Sequence, residues 1–127
     1  MTLNHLNLTV ASPTETSAFL AKYFGLQPRG GNLGIQMLND DSGMVLTLIK
    51  ARAEDRIEGG TGAEEAKGVR YPSSFHIGFI QPTRERVNEI NQRLRDDGFQ
   101  VDAPAHLHGS WTFYFTAPGG FTIEVMG

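Results

Sequence analysis

Three side chains able to bind metals or move protons sit in segments of this chain that are patterned as strands. Glu124 lies within Phe121 to Met126, where Phe121, Ile123 and Val125 form an apolar stripe and Thr122, Glu124 and Met126 point the other way. A carboxylate in that setting works against strand propensity and, if its face is covered, needs a cation or hydrogen-bond donors beside it. It is therefore either on a solvated face, or a metal ligand or general base. His5 lies opposite Leu6, Leu8 and Val10, and His76 lies opposite Phe75, Ile77 and Phe79, so each is on the polar side of an alternating segment. The chain has no cysteine, so histidine and carboxylate are its only strong metal-binding side chains. Any metal is then held through nitrogen and oxygen.

The segments that carry these residues follow a simple order. After the strand containing His5, Ser12 before Pro13, with Glu15 three residues on, reads as a capped helix start. Phe19, Tyr23 and Phe24 supply that helix's apolar stripe, and Gly25 ends it. Leu26 begins an extended segment, and Asn32 to Leu38 and Met44 to Lys50 read as a hairpin around Asn39 to Gly43. Residues 51–73 form a long, charged, glycine-containing loop, either a lid or a disordered linker. Arg52, Arg70 and Tyr71 at its ends could reach an anionic substrate, although a solvated loop explains them better.

After the strand with His76, Pro82-Thr83 opens a second helix with the stripe Val87, Ile90 and Leu94, closed by Gly98. Phe99 to Val101 is expected to start the next strand, and Ala103 to Gly109 reads as a loop. Trp111 to Thr116 and Phe121 to Met126 form a hairpin about Ala117-Pro118-Gly119-Gly120.

At 127 residues the chain suits one domain, 1–127. Its net charge of −3 without a basic run speaks against nucleic acid as a partner. No apolar run approaches a membrane span of ~20 residues, and no leader pattern opens the chain, so the expected location is cytoplasmic. The order strand, helix, strand, hairpin occurs twice, in pseudo-repeats 1–50 and 74–127. Aligning His5 with His76 brings Gly43 against Gly120 and makes Thr47 the counterpart of Glu124.

This doubled β-α-β-β-β order, with a histidine in the first strand of each half and a glutamate near the C-terminus, resembles the vicinal oxygen chelate superfamily. Its members include glyoxalase I, extradiol dioxygenases, fosfomycin-resistance enzymes and metal-free bleomycin-resistance proteins. The resemblance implies an α+β fold in which two tandem modules form a cupped mixed sheet with helices on the convex face. It implies a homodimer acting on a small-molecule substrate, and His5, His76 and Glu124 as ligands of one divalent metal ion, Fe2+ or Mn2+ before Zn2+ or Ni2+. Two imidazoles and a carboxylate leave open positions on such an ion for substrate and oxygen.

The resemblance also bears on the reaction. Glyoxalase I has a fourth ligand, a glutamate, where this repeat has Thr47, which favours three-ligand members. His106, Phe113-Tyr114, Ala117-Pro118, Gly120 and Glu124 resemble the C-terminal signature of extradiol dioxygenases, with Pro104 and Ala117 as departures. That resemblance implies Tyr114 and His106 as catalytic hydrogen-bonding groups. The alternatives are a metal-free, drug-binding dimer, or a glyoxalase-like, lyase-like or fosfomycin-resistance-like metal enzyme. His108 is read as a loop residue, and Trp111 as core or dimer interface.

Overall fold

Ser12 starts the first helix as expected: its hydroxyl accepts the amide of Glu15 at 3.3 Å, Pro13 takes the first turn, and Gly25 closes the helix at φ 70°. In the computed structural model, which describes residues 1–56 and 68–127, the chain divides into two compact units. One comprises Met1–Tyr71 with Pro118–Gly120, the other Pro72–Ala117 with Phe121–Gly127. Residues 57–67 of the predicted 51–73 loop lie outside the described residues. Its N-terminal end forms a short 3-10 turn at Ala53–Asp55, and Arg56 bridges Val69. Among the described residues no helix is long and apolar enough to cross a membrane.

The first unit runs β1 (His5–Val10), α1 (Pro13–Phe24), β2 (Gln27–Asn32), β3 (Ile35–Asn39) and β4 (Val45–Lys50). Its sheet has the order β1-β4-β3-β2, with β1 parallel to β4 and the other pairs antiparallel. Leu8, Val10, Leu38, Leu46 and Leu48 are buried on one face, as are Phe19, Leu20 and Tyr23 of α1. Asp40 ties the β3–β4 turn: its carboxylate accepts from Ser42 and Met44, and the Ser42 hydroxyl above all holds it below the usual carboxylate range.

The expected strand Asn32 to Leu38 is interrupted. The Asn32 side chain accepts the amides of Gly34 and Ile35 at 2.8 and 3.2 Å, turning the chain there and making Gln27–Asn32 a strand of its own. Gly31, at φ 146°, passes so close to β3 that a Cβ would sit 2.1 Å from the Ile35 carbonyl oxygen. Gly31→Ala is therefore expected to cost roughly 2–4 kcal/mol of unfolding free energy, since backbone cannot move aside as a side chain can. Denaturant unfolding checks this; a loss below about 0.5 kcal/mol would contradict it.

The second unit repeats the plan with β5 (His76–Ile80), α2 (Arg84–Asp96), β6 (Ala105–Leu107), β7 (Ser110–Thr116) and β8 (Thr122–Met126), in the order β5-β8-β7-β6. Thr83 caps α2 by accepting the Arg86 amide at 3.2 Å. Val87, Ile90 and Leu94 are buried, as are Phe113, Phe115, Ile123 and Val125 on one face of the sheet. The second strand of this module differs from expectation: it is Ala105–Leu107, inside the predicted loop, and does not begin at Phe99. His108 and Gly109 carry φ of 53° and 87°, the paired positive values a two-residue hairpin turn needs, and they fold Leu107 back onto Ser110. His108 is thus a turn residue. The protein is an α+β fold of two tandem β-α-β-β-β modules.

Candidate metal centre

The register of the second sheet assembles the site. Glu124 on β8 lies directly between Gly78 of β5 and Tyr114 of β7, so all three share a face. His76, two residues before Gly78, is on that face too. Because Gly78 has no side chain, the imidazole crosses to the carboxylate, and its Nε2 stands 3.4 Å from Glu124 Oε2. A Cβ on Gly78 would lie 3.6 Å from that same oxygen and would narrow the space above it. On the other side the Tyr114 hydroxyl donates a short hydrogen bond to Oε1. The side chain of Glu124 is 13% exposed and that of His76 45%, so the pair is open to solvent from the imidazole side.

Protons decide what this pair can do. His76 Nδ1 lies 3.2 Å from the Ser74 carbonyl oxygen, which can only accept, so Nδ1 carries the hydrogen. In the neutral ring Nε2 then presents a lone pair to a carboxylate oxygen. Two acceptors at that distance need positive charge between them, a proton on Nε2 or a metal ion. Glu124 is committed in the same way: Oε1 takes the hydroxyl of Tyr114, and Oε2 is left to face the histidine. That bond, before burial and the charge of Glu124, raises the Tyr114 phenol above its usual pKa and keeps it a donor.

His5 belongs to the first unit. It is exposed, with Nδ1 2.7 Å from Asn4 Oδ1. If Nδ1 donates to that oxygen, the neutral ring carries its lone pair on Nε2. Asn7 on β1 pairs with Thr47, which pairs with Met37, so His5, Asn7, Thr47 and Met37 take the places of His76, Gly78, Glu124 and Tyr114. The first module therefore repeats the histidine without the carboxylate or the phenol. Among the described residues no three histidine, aspartate or glutamate side chains come together as a metal-binding group. The structure brings together His76, Glu124 and Tyr114.

It does not bring His106 to them. His106 pairs with Trp111, whose side chain is on the face of Phe113 and Phe115, away from Tyr114. The imidazole packs edge-on against the indole at 5.2 Å, and Trp111 donates to Asn88 of α2. Trp111 thus packs on the helix. Tyr71 donates to the Thr9 carbonyl oxygen at 2.5 Å. Two contributors went unnoticed in the sequence: Ser74, which sets the imidazole's tautomer, and Gly78. A glycine inside a strand signals close approach, and Gly78 could have been found on that ground.

The pair fits a metal. Two ligands about 2.1 Å from one ion lie roughly 3.0 to 3.4 Å apart at octahedral or tetrahedral angles, and the outer atom of each group is already held by a hydrogen bond, as ligating histidine and carboxylate require.

Two β-α-β-β-β modules of identical strand order, each with a histidine on its first strand, define a tandem-module class of protein. The model of the Glyoxalase/Bleomycin resistance protein/Dioxygenase superfamily matches residues 2–125, and the chain belongs to that superfamily. A possible glyoxalase from Bacillus cereus is 44% identical over 100% of this chain and 99% of its own, with a TM-score of 0.83. Two further structures share the fold. A lactoylglutathione lyase from Agrobacterium tumefaciens is 17% identical at TM-score 0.72, covering 98% of this chain and 92% of its own. The fosfomycin resistance protein FosX from Listeria monocytogenes, solved with Mn(II) and sulfate, is 18% identical at TM-score 0.74, covering 99% and 89%. No protein of curated function matches the chain.

Proposed function

We propose that His76, Glu124 and His5 hold one divalent ion, ferrous or manganous before zinc or nickel, and that the protein acts on a small molecule bearing two neighbouring oxygens. The observation that carries this reading is the 3.4 Å approach of His76 Nε2 to Glu124 Oε2, with the far atom of each group tied elsewhere. A bound ion supplies Lewis acidity to the substrate oxygens. The chain's own residues prepare for it. Tyr114 occupies one carboxylate oxygen so that only the other is offered, and the Ser74 carbonyl keeps the proton of His76 on the outer nitrogen. Gly78 leaves the approach to Oε2 open.

The reaction we favour is oxygen-dependent ring cleavage of an extradiol type, because Thr47 stands where a glyoxalase I would carry a carboxylate. The second reading, a glyoxalase, is favoured by the possible glyoxalase at 44% identity. An oxygen electrode and thioester absorbance separate the two on anaerobically iron-loaded protein. The expected result is oxygen uptake with a catechol and no thioester from methylglyoxal and glutathione. Thioester without oxygen uptake would replace the first reading with the second. If neither signal appears and no metal can be loaded, a drug-binding dimer becomes the better reading.

A homodimer belongs to the same proposal. Each four-stranded sheet has two edge strands, and Leu3, Leu33 and Leu107 are large exposed apolar residues that pairing would cover. Light scattering at micromolar concentration is expected to show twice the chain mass; a strict monomer would contradict it.

A further inference from the structure

Resting on that reading, we infer that the substrate is uncharged away from its two adjacent oxygens and has an apolar body, which lies along β5 and β8. Strand register decides which side chains share the face of Glu124. On β5 these are His76, Gly78 and Ile80, and on β8 Thr122, Glu124 and Met126. On β7 they are Thr112, Tyr114 and Thr116, with Ala105 and Leu107 on β6. Glu124 is the only acidic side chain among them, and there is no lysine or arginine. The pair next to Gly78 and Glu124 is Ile80 and Met126, and Ile80 is 80% exposed. Ile80 and Met126 give this face an apolar end next to the Gly78–Glu124 pair. The Thr112 hydroxyl is fully buried and offers no contact to a ligand.

On the corresponding face of the first module, β1, β3 and β4 contribute no lysine, arginine, aspartate or glutamate. His5, Asn7 and Thr9 share it with Val45, Thr47 and Ile49 of β4 and with Ile35, Met37 and Asn39 of β3. Beside Thr9, Arg56 and Arg70 line a hollow together with Glu54 and Asp55, so two positive charges there are matched by two negative ones. A substrate carrying a carboxylate, phosphonate or peptide-like anion would have to desolvate that charge with no lysine or arginine among the β5, β6, β7 and β8 residues on the face of Glu124. A neutral body loses nothing by settling on Ile80 and Met126.

The test uses two catechols with the same diol and opposite remainders, tert-butylcatechol and protocatechuate, titrated calorimetrically into full-length manganese-loaded protein without oxygen. The expected result is binding of tert-butylcatechol at least about tenfold tighter. In Ile80→Lys, whose exposed position tolerates the change, protocatechuate should gain roughly fivefold or more while tert-butylcatechol weakens. Equal or tighter binding of protocatechuate by the unaltered protein overturns the inference and leaves the metal reading standing. If neither catechol binds loaded protein more tightly than metal-free protein, the metal reading falls and takes this inference with it.

Discussion

Glu124→Gln and His76→Ala are each expected to lower divalent-metal affinity by more than about a hundredfold, because groups that merely support ligands already account for 10–100-fold. Glu124→Gln is the sharper variant. It keeps the volume of the side chain and an oxygen that can accept from Tyr114, so the fold's hydrogen bond survives while the ligand charge is lost. His76→Ala removes the other partner of the 3.4 Å pair from an exposed position, where truncation costs the fold little. His106→Ala should leave metal binding unchanged, since that imidazole lies against Trp111 on the other face. Elemental analysis after dialysis, with thermal melts to verify folding, reads all three. Full occupancy in Glu124→Gln and His76→Ala would remove the assignment of this pair as ligands.

Tyr114→Phe tests the support of the carboxylate. Removing the hydroxyl frees Glu124 Oε1 and lets the carboxylate rotate, so metal affinity is expected to fall about 10–100-fold with both ligands still in place. An unchanged affinity would mean that the phenol does not position Glu124. The same residue has a pH signature. Its phenol is raised above the ordinary value, first by the hydrogen bond to Glu124. The folded state therefore holds this proton more tightly than the unfolded chain does. The resulting stabilisation is complete below the unfolded value of about 10 and is lost as pH rises through the higher folded value. Tyr71, raised mainly by burial, acts in the same direction. Denaturant unfolding at about pH 9 and about pH 11 should show a smaller loss of stability in Tyr114→Phe than in the unaltered protein. Equal losses would mean that the phenol is not held in its protonated form by folding.

Much of the architecture is local and was legible in the sequence. Ser12 with Pro13 and Glu15 marks a helix start, because a hydroxyl there meets an otherwise unsatisfied amide. The alternation around His5, His76 and Glu124 assigns each to the face opposite an apolar stripe, because successive strand side chains point to opposite sides. The repeat is equally readable, and strand register bears out Thr47 as the counterpart of Glu124.

What only the tertiary structure decided depends on pairing between strands far apart in the chain. That β8 lies between β5 and β7, bringing His76 and Tyr114 to opposite oxygens of Glu124, follows from a register that no single segment encodes. The Tyr114 hydroxyl is bonded to Glu124 because the two residues are directly opposed. His106 shares a signature with Tyr114 but not a face. The turn at His108 and Gly109 pairs it with Trp111, and a period of two sends the two side chains to opposite sides of one sheet.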